Sequence, residues 1–140
     1  MTLELNSLIK AVDSLQRTVN VACSREKMNA LEDDQKKAIR AGVIQNFEFT
    51  YELCWKFLKR WLDNNLGSAH VDGVARRELF RLGAEHRFIE DVDAWMVYHD
   101  ARNETSHTYD DAKADEVFEI AKKFLPDAKK FLGALEKKND

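Results

Sequence analysis

Residues that break helices are scarce in this sequence, which has one proline and five glycines among its 140 residues. Because proline and glycine disfavour helix interiors most strongly, their scarcity predicts a helical chain. The two cysteines, Cys23 and Cys54, form no C-x-x-C pair, so we expect two packed thiols in a reducing compartment and no zinc site. No stretch approaches the roughly 18 uninterrupted apolar residues of a membrane helix, and the first residues lack the pattern of a signal peptide. We therefore expect a cytoplasmic protein.

Neither sign of charge is in large excess, because 22 Lys and Arg residues oppose 25 Asp and Glu residues, for a net charge of −3. Such a chain has no global field that would collect nucleic acid, so any contact with RNA or DNA needs a local basic patch. Arg76, Arg77 and Arg81 form a small basic cluster. Two interpretations of this cluster stay open: it is a solvated helix face, or it contacts RNA phosphate or an acidic partner. The length predicts one domain, residues 1–140.

Apolar residues recur every three or four positions along most of the chain, a spacing that predicts amphipathic helices. The first predicted helix has its apolar seam between Leu5 and Ala22, and the second, the longest, extends roughly from residue 35 to residue 64. This second helix is apolar on nearly all sides, as expected for a helix that is central or shared with a second subunit. We therefore predict a homodimer that uses part of its surface.

Three further helices are predicted in the second half of the chain. Asp72 can cap a short helix that runs to Leu82 and ends at Gly83. A longer helix then runs from about Glu90 to about Glu104.

The last predicted helix begins after a cap at Asp110 or Asp111 and contains Pro126, which should kink it or make it restart. Four long helices and one short helix result from these assignments. The predicted fold is therefore all-α, an antiparallel four-helix bundle with an extra short helix.

One string concentrates the groups that carry chemistry, Arg102-Asn-Glu-Thr-Ser-His-Thr-Tyr109. It contains a permanent cation, a histidine that can exchange a proton near neutral pH, and a phenol. Residues five apart on a straight helix point about 140° from each other, so Arg102 and His107 converge readily only if the helix ends between them. Because Thr105-Ser-His-Thr108 is a poor helix-forming run, we predict such an end, with His107 and Tyr109 in the turn before the last helix.

The functional interpretation of this string is phosphodiester chemistry without a metal or cofactor. His107 would act as general base or acid for an RNA 2′-hydroxyl or leaving oxygen. Arg102 would hold the phosphate and stabilise the charge that develops on it. Asn103 and either Ser106 or Thr105 would add hydrogen bonds.

The structural interpretation is that Arg102 and His107 cap helix carbonyls while Tyr109 packs on the end of the bundle. The spacing alone leaves both interpretations open, because short motifs arise by chance. Glu104 and His107 also form an E-x-x-H pair, which di-iron bundles use in two copies. The sequence has no second copy, and neither Glu48 nor Glu52 replaces it, so we expect no metal centre. The other three histidines are assigned no role.

The chain resembles the HEPN superfamily, specifically its HepT-like group, whose members are also described as nucleotidyltransferase substrate-binding proteins. The resemblance covers most of the chain. It rests on the run Ile44-Gln-Asn-Phe-Glu-Phe-Thr-Tyr-Glu-Leu-Cys-Trp-Lys-Phe-Leu-Lys59, on Trp95-Met96, and on the complete R-x4-H-x-Y string from Arg102 to Tyr109. It implies a helical bundle that dimerises and brings two copies of the string to one cleft. In active members, residues matching Arg102 and His107 carry metal-independent RNA cleavage.

The resemblance also implies a partner, because members are usually encoded beside a minimal nucleotidyltransferase in what looks like a toxin–antitoxin module. The partner is thought to neutralise the toxin by adding nucleotides to the tyrosine that matches Tyr109. Two hypotheses follow. The chain is either a toxin-like endoribonuclease that uses Arg102 and His107, or a non-catalytic module that presents substrate to a separately encoded nucleotidyltransferase.

Overall fold

Six α-helices make up the fold in the computed structural model, which describes residues 2–139. They are α1 (Asn6–Ala22), α2 (Arg25–Asn29), α3 (Asp33–Leu66), α4 (Arg76–Glu85), α5 (Val92–Asn103) and α6 (Asp111–Lys138), with short 3-10 turns at Ser68–His70 and Thr105–His107. The predicted all-α class is confirmed, since residues 2–139 contain no β-strand. Within the same range, no helix is long and apolar enough to cross a membrane.

The directions of the four long helices alternate along the chain. Cross-helix hydrogen bonds place α1 antiparallel to the first half of α3. Helices α3 and α6 run parallel, because Lys37 pairs with Asp111 near their starts and the Trp61 indole faces the carbonyl of Lys138 near their ends. Helix α5 runs opposite to both, because positions later in α5 and just after it contact earlier positions of α3, and positions later in α5 contact earlier positions of α6. Two short helices, α2 and α4, accompany this bundle, whereas the sequence predicted one.

An aromatic cluster fixes α3 against α5 and α6. Phe47 and Tyr51 of α3 meet Phe124 of α6 edge to face, and Trp95 of α5 packs on the same ring. These four side chains are buried, and each aromatic side chain removes roughly 150–250 Å² from water. The burial fixes the rotation of α3 about its own axis. The polar residues on another face of α3 are thereby directed towards α4 and α5.

The predicted start of the short helix α4 is wrong. Asp72 does not cap it, because the helix begins at Arg76 after Ala75, which provides no side-chain cap. Asp72 instead pairs with Lys59 of α3 at 3.3 Å. The connection between α3 and α4 is held by this ion pair and by the buried side chain of Val71.

The predicted end of α4 is also wrong, because Gly83 lies inside the helix, which continues to Glu85. A Cβ atom at Gly83 would lie 3.0 Å from side-chain atoms of both Leu58 and Ile89. The glycine therefore allows α4 to approach α3 closely. From the sequence alone, a glycine in this position predicts the end of a helix, because its packing role is not visible there.

Helix α6 passes through Pro126 without interruption, so the predicted restart is wrong. An internal proline costs a helix about 3 kcal/mol because its N–H is missing and its ring meets the preceding turn. Buried apolar side chains on both sides of it, Phe124, Leu125, Ala128 and Phe131, offset that cost. The start is as predicted at Asp110, whose side chain accepts hydrogen bonds from the backbone of the first turn.

Candidate functional site

Helix α5 ends at Asn103, inside the string from Arg102 to Tyr109. Glu104 is its C-cap, and its carbonyl accepts a hydrogen bond from the His107 N–H at 3.0 Å, which closes the 3-10 turn Thr105–His107. The predicted helix end between Arg102 and His107 is therefore confirmed. The string forms the junction between α5 and α6, where side chains can leave the direction of either helix.

The Arg102 side chain is held by two carboxylates of α3. Its Nε donates a hydrogen bond to Glu52 at 2.9 Å, and its Nη1 lies 3.8 Å from Glu48. The Thr105 hydroxyl lies within hydrogen-bonding reach of both the Glu48 carboxylate and the Arg102 carbonyl. The turn after α5 is thus tied to α3. Because only Nε is hydrogen-bonded, both Nη groups of Arg102 still have donors for an anion.

His107 and Tyr109 extend from the other side of the junction into solvent. Their ring centroids lie 6.3 Å apart with the planes at 71°, and 84% of the Tyr109 surface is exposed. Neither side chain hydrogen-bonds to any residue between 2 and 139. Asn103 and Ser106 are exposed beside them. No hydrogen bond or ion pair of the described chain joins Arg102 to His107, so the string presents two adjacent groups, one on each side of the turn.

The three tyrosines differ sharply in access. Tyr51 and Tyr98 are buried, and burial raises the pKa of both phenols. Tyr51 bonds to His99, and Tyr98 donates a hydrogen bond to Asp127. Tyr109 alone among the tyrosines presents its hydroxyl freely, so chemistry on a tyrosine of the folded chain falls on this residue.

A second polar network lies between α3 and α5, next to Arg102. Nδ1 of His99 is 2.9 Å from the Tyr51 hydroxyl, and the Asn103 amide group lies beside the other ring nitrogen at 3.4 Å. Burial and then the charge of Arg76 lower the pKa of His99, against smaller opposing effects of nearby carboxylates. The lowered pKa favours a neutral His99, whose Nδ1 can accept a hydrogen bond from the Tyr51 hydroxyl.

Several of these residues were missed by sequence reasoning, which assigned His99 no role and considered Glu48 and Glu52 only as metal ligands. A signal was present, because the two carboxylates stand four residues apart on one side of a helix that is otherwise largely apolar. Acidic side chains in such a setting are expected to be paired with a cation. The distance in sequence, 50 residues between Glu52 and Arg102, hides which cation it is.

The chain is similar to known proteins over nearly its whole length. The family model described as "Nucleotidyltransferase substrate binding protein like" matches residues 3–137. A Haemophilus influenzae protein named "Probable ribonuclease HepT" is 33% identical over 138 residues, which cover 98% of this chain and 94% of that protein.

Two solved structures share the fold. One, from Haemophilus influenzae, is described as revealing the fold of a substrate-binding domain of a nucleotidyltransferase. It has a TM-score of 0.91 and 33% identity, and the match covers 95% of this chain and 99% of that one. The other, from Thermus thermophilus, has a TM-score of 0.68 and 24% identity, and the match covers 89% of this chain and 98% of that one.

Proposed function

This chain belongs to the nucleotidyltransferase substrate-binding-like family, and we propose that it is a metal-independent endoribonuclease of the HEPN type. The observation that carries the proposal is the junction after α5, where an accessible histidine follows an anchored arginine that retains unused donors. The similarity to a protein named as a probable ribonuclease supports the same activity.

In the proposed reaction, His107 in its neutral form accepts the proton of an RNA 2′-hydroxyl. The 2′ oxygen forms a bond to the adjacent phosphorus, and the bond from phosphorus to the 5′ oxygen of the next nucleotide breaks. The products are a 2′,3′-cyclic phosphate and a 5′-hydroxyl, which takes its proton from an imidazolium or from water. A homodimer would supply two copies of His107 to one cleft, so that one acts as base and the other as acid.

Arg102 binds the phosphate in this proposal. Glu52 fixes Nε, so the side chain keeps one orientation while its Nη groups face the substrate. The long contact to Glu48 is easily displaced by a phosphate, because 3.8 Å exceeds hydrogen-bonding distance. Asn103 and Ser106, both exposed, would add hydrogen bonds to the ribose or phosphate.

Tyr109 is the proposed control point of a toxin–antitoxin module. A minimal nucleotidyltransferase would transfer a nucleotidyl group from a nucleoside triphosphate to the Tyr109 oxygen, with release of pyrophosphate and of the phenolic proton. The exposure of this hydroxyl supports the assignment. The added phosphodiester would lie next to His107, where it competes with the phosphate of the RNA.

The test is expression of the chain alone, wild type beside His107→Ala, with growth and total RNA integrity as readouts. We expect growth inhibition and RNA degradation with the wild type only, because loss of a general acid or base lowers rates by about 10²–10⁴-fold. His107 is exposed and makes no side-chain hydrogen bond within the described residues, so the variant should fold like the wild type.

A second function is favoured by the family description itself and by the Haemophilus influenzae structure, whose description names a substrate-binding domain. Under this alternative, the same residues bind a nucleotide or polyanion for a separate nucleotidyltransferase and cleave nothing. Harmless expression of both wild type and His107→Ala would reject the nuclease and leave this alternative.

A further inference from the structure

Of the three arginines on α4, only one lacks a carboxylate partner within the described chain. Arg77 pairs with Asp93 at 2.9 Å, and Arg81 lies 3.5 Å from Glu78 in the same helix. Arg76 is directed towards α3 and is half-buried. No carboxylate of residues 2–139 lies within 4.0 Å of its guanidinium, so its charge is not neutralised by the part of the chain that the structure describes.

Neutral groups hold Arg76 in place. Its guanidinium carbon lies 3.7 Å from the ring centroid of Trp55, and Nη1 donates a hydrogen bond to the Tyr51 hydroxyl at 3.1 Å. Stacking on an indole orients the planar group at little entropic cost. Within residues 2–139, the only buried side-chain polar atoms without a hydrogen-bond partner belong to Gln16 and Asp63. The guanidinium nitrogens of Arg76 that make no hydrogen bond are therefore not fully buried and reach solvent.

This oriented cation is adjacent to the proposed phosphate site. The Trp55 indole N–H donates to the Glu52 carboxylate at 3.1 Å, and the other oxygen of that carboxylate accepts from Arg102. Arg76 and Arg102 therefore contact the same side of α3 about one helical turn apart, roughly 5 Å along its axis.

We propose that Arg76 binds a second phosphate of the RNA strand whose scissile phosphate contacts Arg102. The inference rests on the proposed function. A half-buried arginine with neutral partners and free donors lacks a counterion, and a phosphate supplies both the charge and the acceptors. The ligand class is accordingly a single-stranded polynucleotide with at least two phosphates. Arg77 and Arg81 are outside the site because, within the described chain, neither makes a hydrogen bond, ion pair or cation–π contact with α3; their carboxylate partners are Asp93 of α5 and Glu78 of α4.

The test measures binding of an eight-residue, 2′-O-methylated oligouridylate, which cannot be cleaved through its 2′ oxygen. Arg76→Gln should weaken binding about tenfold, whereas Arg77→Gln, the same charge change on the next residue of α4, should weaken it less than about twofold. Loss of one phosphate contact on a single strand should also make the slope of log K against log salt shallower by about 0.7 for Arg76→Gln only.

Cleavage provides a second readout that a purely structural role would not produce. Two cleavable substrates are compared, an RNA of eight nucleotides and a dinucleoside monophosphate that contains only the scissile linkage. Arg76→Gln should lower kcat/KM much more for the longer substrate than for the shorter one. Arg76→Lys, which keeps the charge without the planar fork, should give an intermediate loss and an unchanged salt slope.

Several outcomes would overturn the inference. Equal losses in Arg76→Gln and Arg77→Gln would mean that only overall charge matters. Equal losses of kcat/KM on both cleavage substrates, or wild-type affinity in the Arg76→Gln variant, would mean that Arg76 binds no second phosphate. The proposed nuclease would still stand in that case if the wild type cleaves RNA. A wild type that neither binds nor cleaves RNA would reject the proposed function and this inference together.

Discussion

Arg40 and Arg102 each join α3 to another helix through carboxylates, and their surroundings differ in an instructive way. Arg40 of α3 bonds two carboxylates of α6, Asp111 and Asp115, both at 2.8 Å. Arg102 of α5 has one carboxylate at 2.9 Å and a second at 3.8 Å. The Arg40 side chain is 17% exposed and the Arg102 side chain 31%.

The difference lies in the donors that remain. Arg40 donates from both of its Nη groups to carboxylates of α6, and its side chain is less exposed than that of Arg102, so few of its donors are available to a ligand. Arg102 is anchored through Nε, and an exposed histidine and tyrosine follow it within seven residues. An arginine between carboxylates is therefore not by itself evidence of a site. The unused donors and the accessible neighbours are what distinguish Arg102.

The largest effect should come from exchanging each of the two arginines for lysine. Arg102→Lys should lower RNA cleavage about 100-fold or more, because an ammonium cannot contact Glu52 and a phosphate with the same fixed geometry. Arg40→Lys should leave cleavage within about twofold. Initial rates on one RNA substrate measure both. Similar losses in the two variants would mean that the arginines act only through stability.

A smaller effect is expected on stability, and it separates two of the ion pairs between α3 and α6. Arg40→Ala should lower Tm by about 3 °C, because two well-aligned carboxylate contacts and a partly buried stem are lost. Lys37→Ala removes one contact to the same Asp111, at 3.2 Å, and should lower Tm less. Thermal unfolding followed by circular dichroism measures both, and equal shifts would contradict a special role of Arg40.

The smallest effect is a pH dependence near neutrality that the Arg40 cluster lacks. Burial and Arg76 lower the pKa of His99, while Asp100 and Glu52 oppose them. Below the ordinary histidine pKa of about 6.5, the unfolded chain gains a proton that the folded chain does not, so stability falls as pH decreases.

Between pH 7 and pH 5, Tm should therefore fall by about 1 °C more in the wild type than in His99→Gln. His70→Gln, which changes an exposed histidine, is the control and should behave like the wild type. Arg40 acts in a different range. Hydrogen bonds from Arg40 and then Lys37 lower the pKa of Asp111, so that stabilisation is present above the ordinary aspartate pKa and is lost only in stronger acid. Identical pH profiles for His99→Gln and the wild type would contradict the assignment to His99.

Sequence reasoning located most helices because apolar periodicity is a local property. The predicted bounds of α1, α3 and α5 agree with the structure within about two residues, as boundary precision allows. Gly83 and Pro126 were misjudged for one reason. Tertiary packing decides whether a glycine permits a close approach and whether a helix survives a proline, and packing is not visible in a local window.

The candidate site divides in the same way. The helix end inside the string from Arg102 to Tyr109 followed from weak helix formers at known positions. The partners Glu48, Glu52 and His99 did not, because each meets a residue about 50 positions away in the chain. The homodimer stays a prediction, and so do the roles of the string, which the variants of Arg102 and His107 test.

Helix α3 has one more consequence, which concerns insertions and deletions. Its 34 residues span about 51 Å, and the same helix buries an aromatic face and presents the acidic residues that anchor Arg102. One residue inserted upstream of Glu48 would turn these acids by about 100° relative to the earlier turns. An insertion or deletion of seven residues, about two turns, would nearly restore the direction in which these acids point. Length variants of this chain are therefore expected in the connections between helices, and in α3 only in steps close to whole pairs of turns.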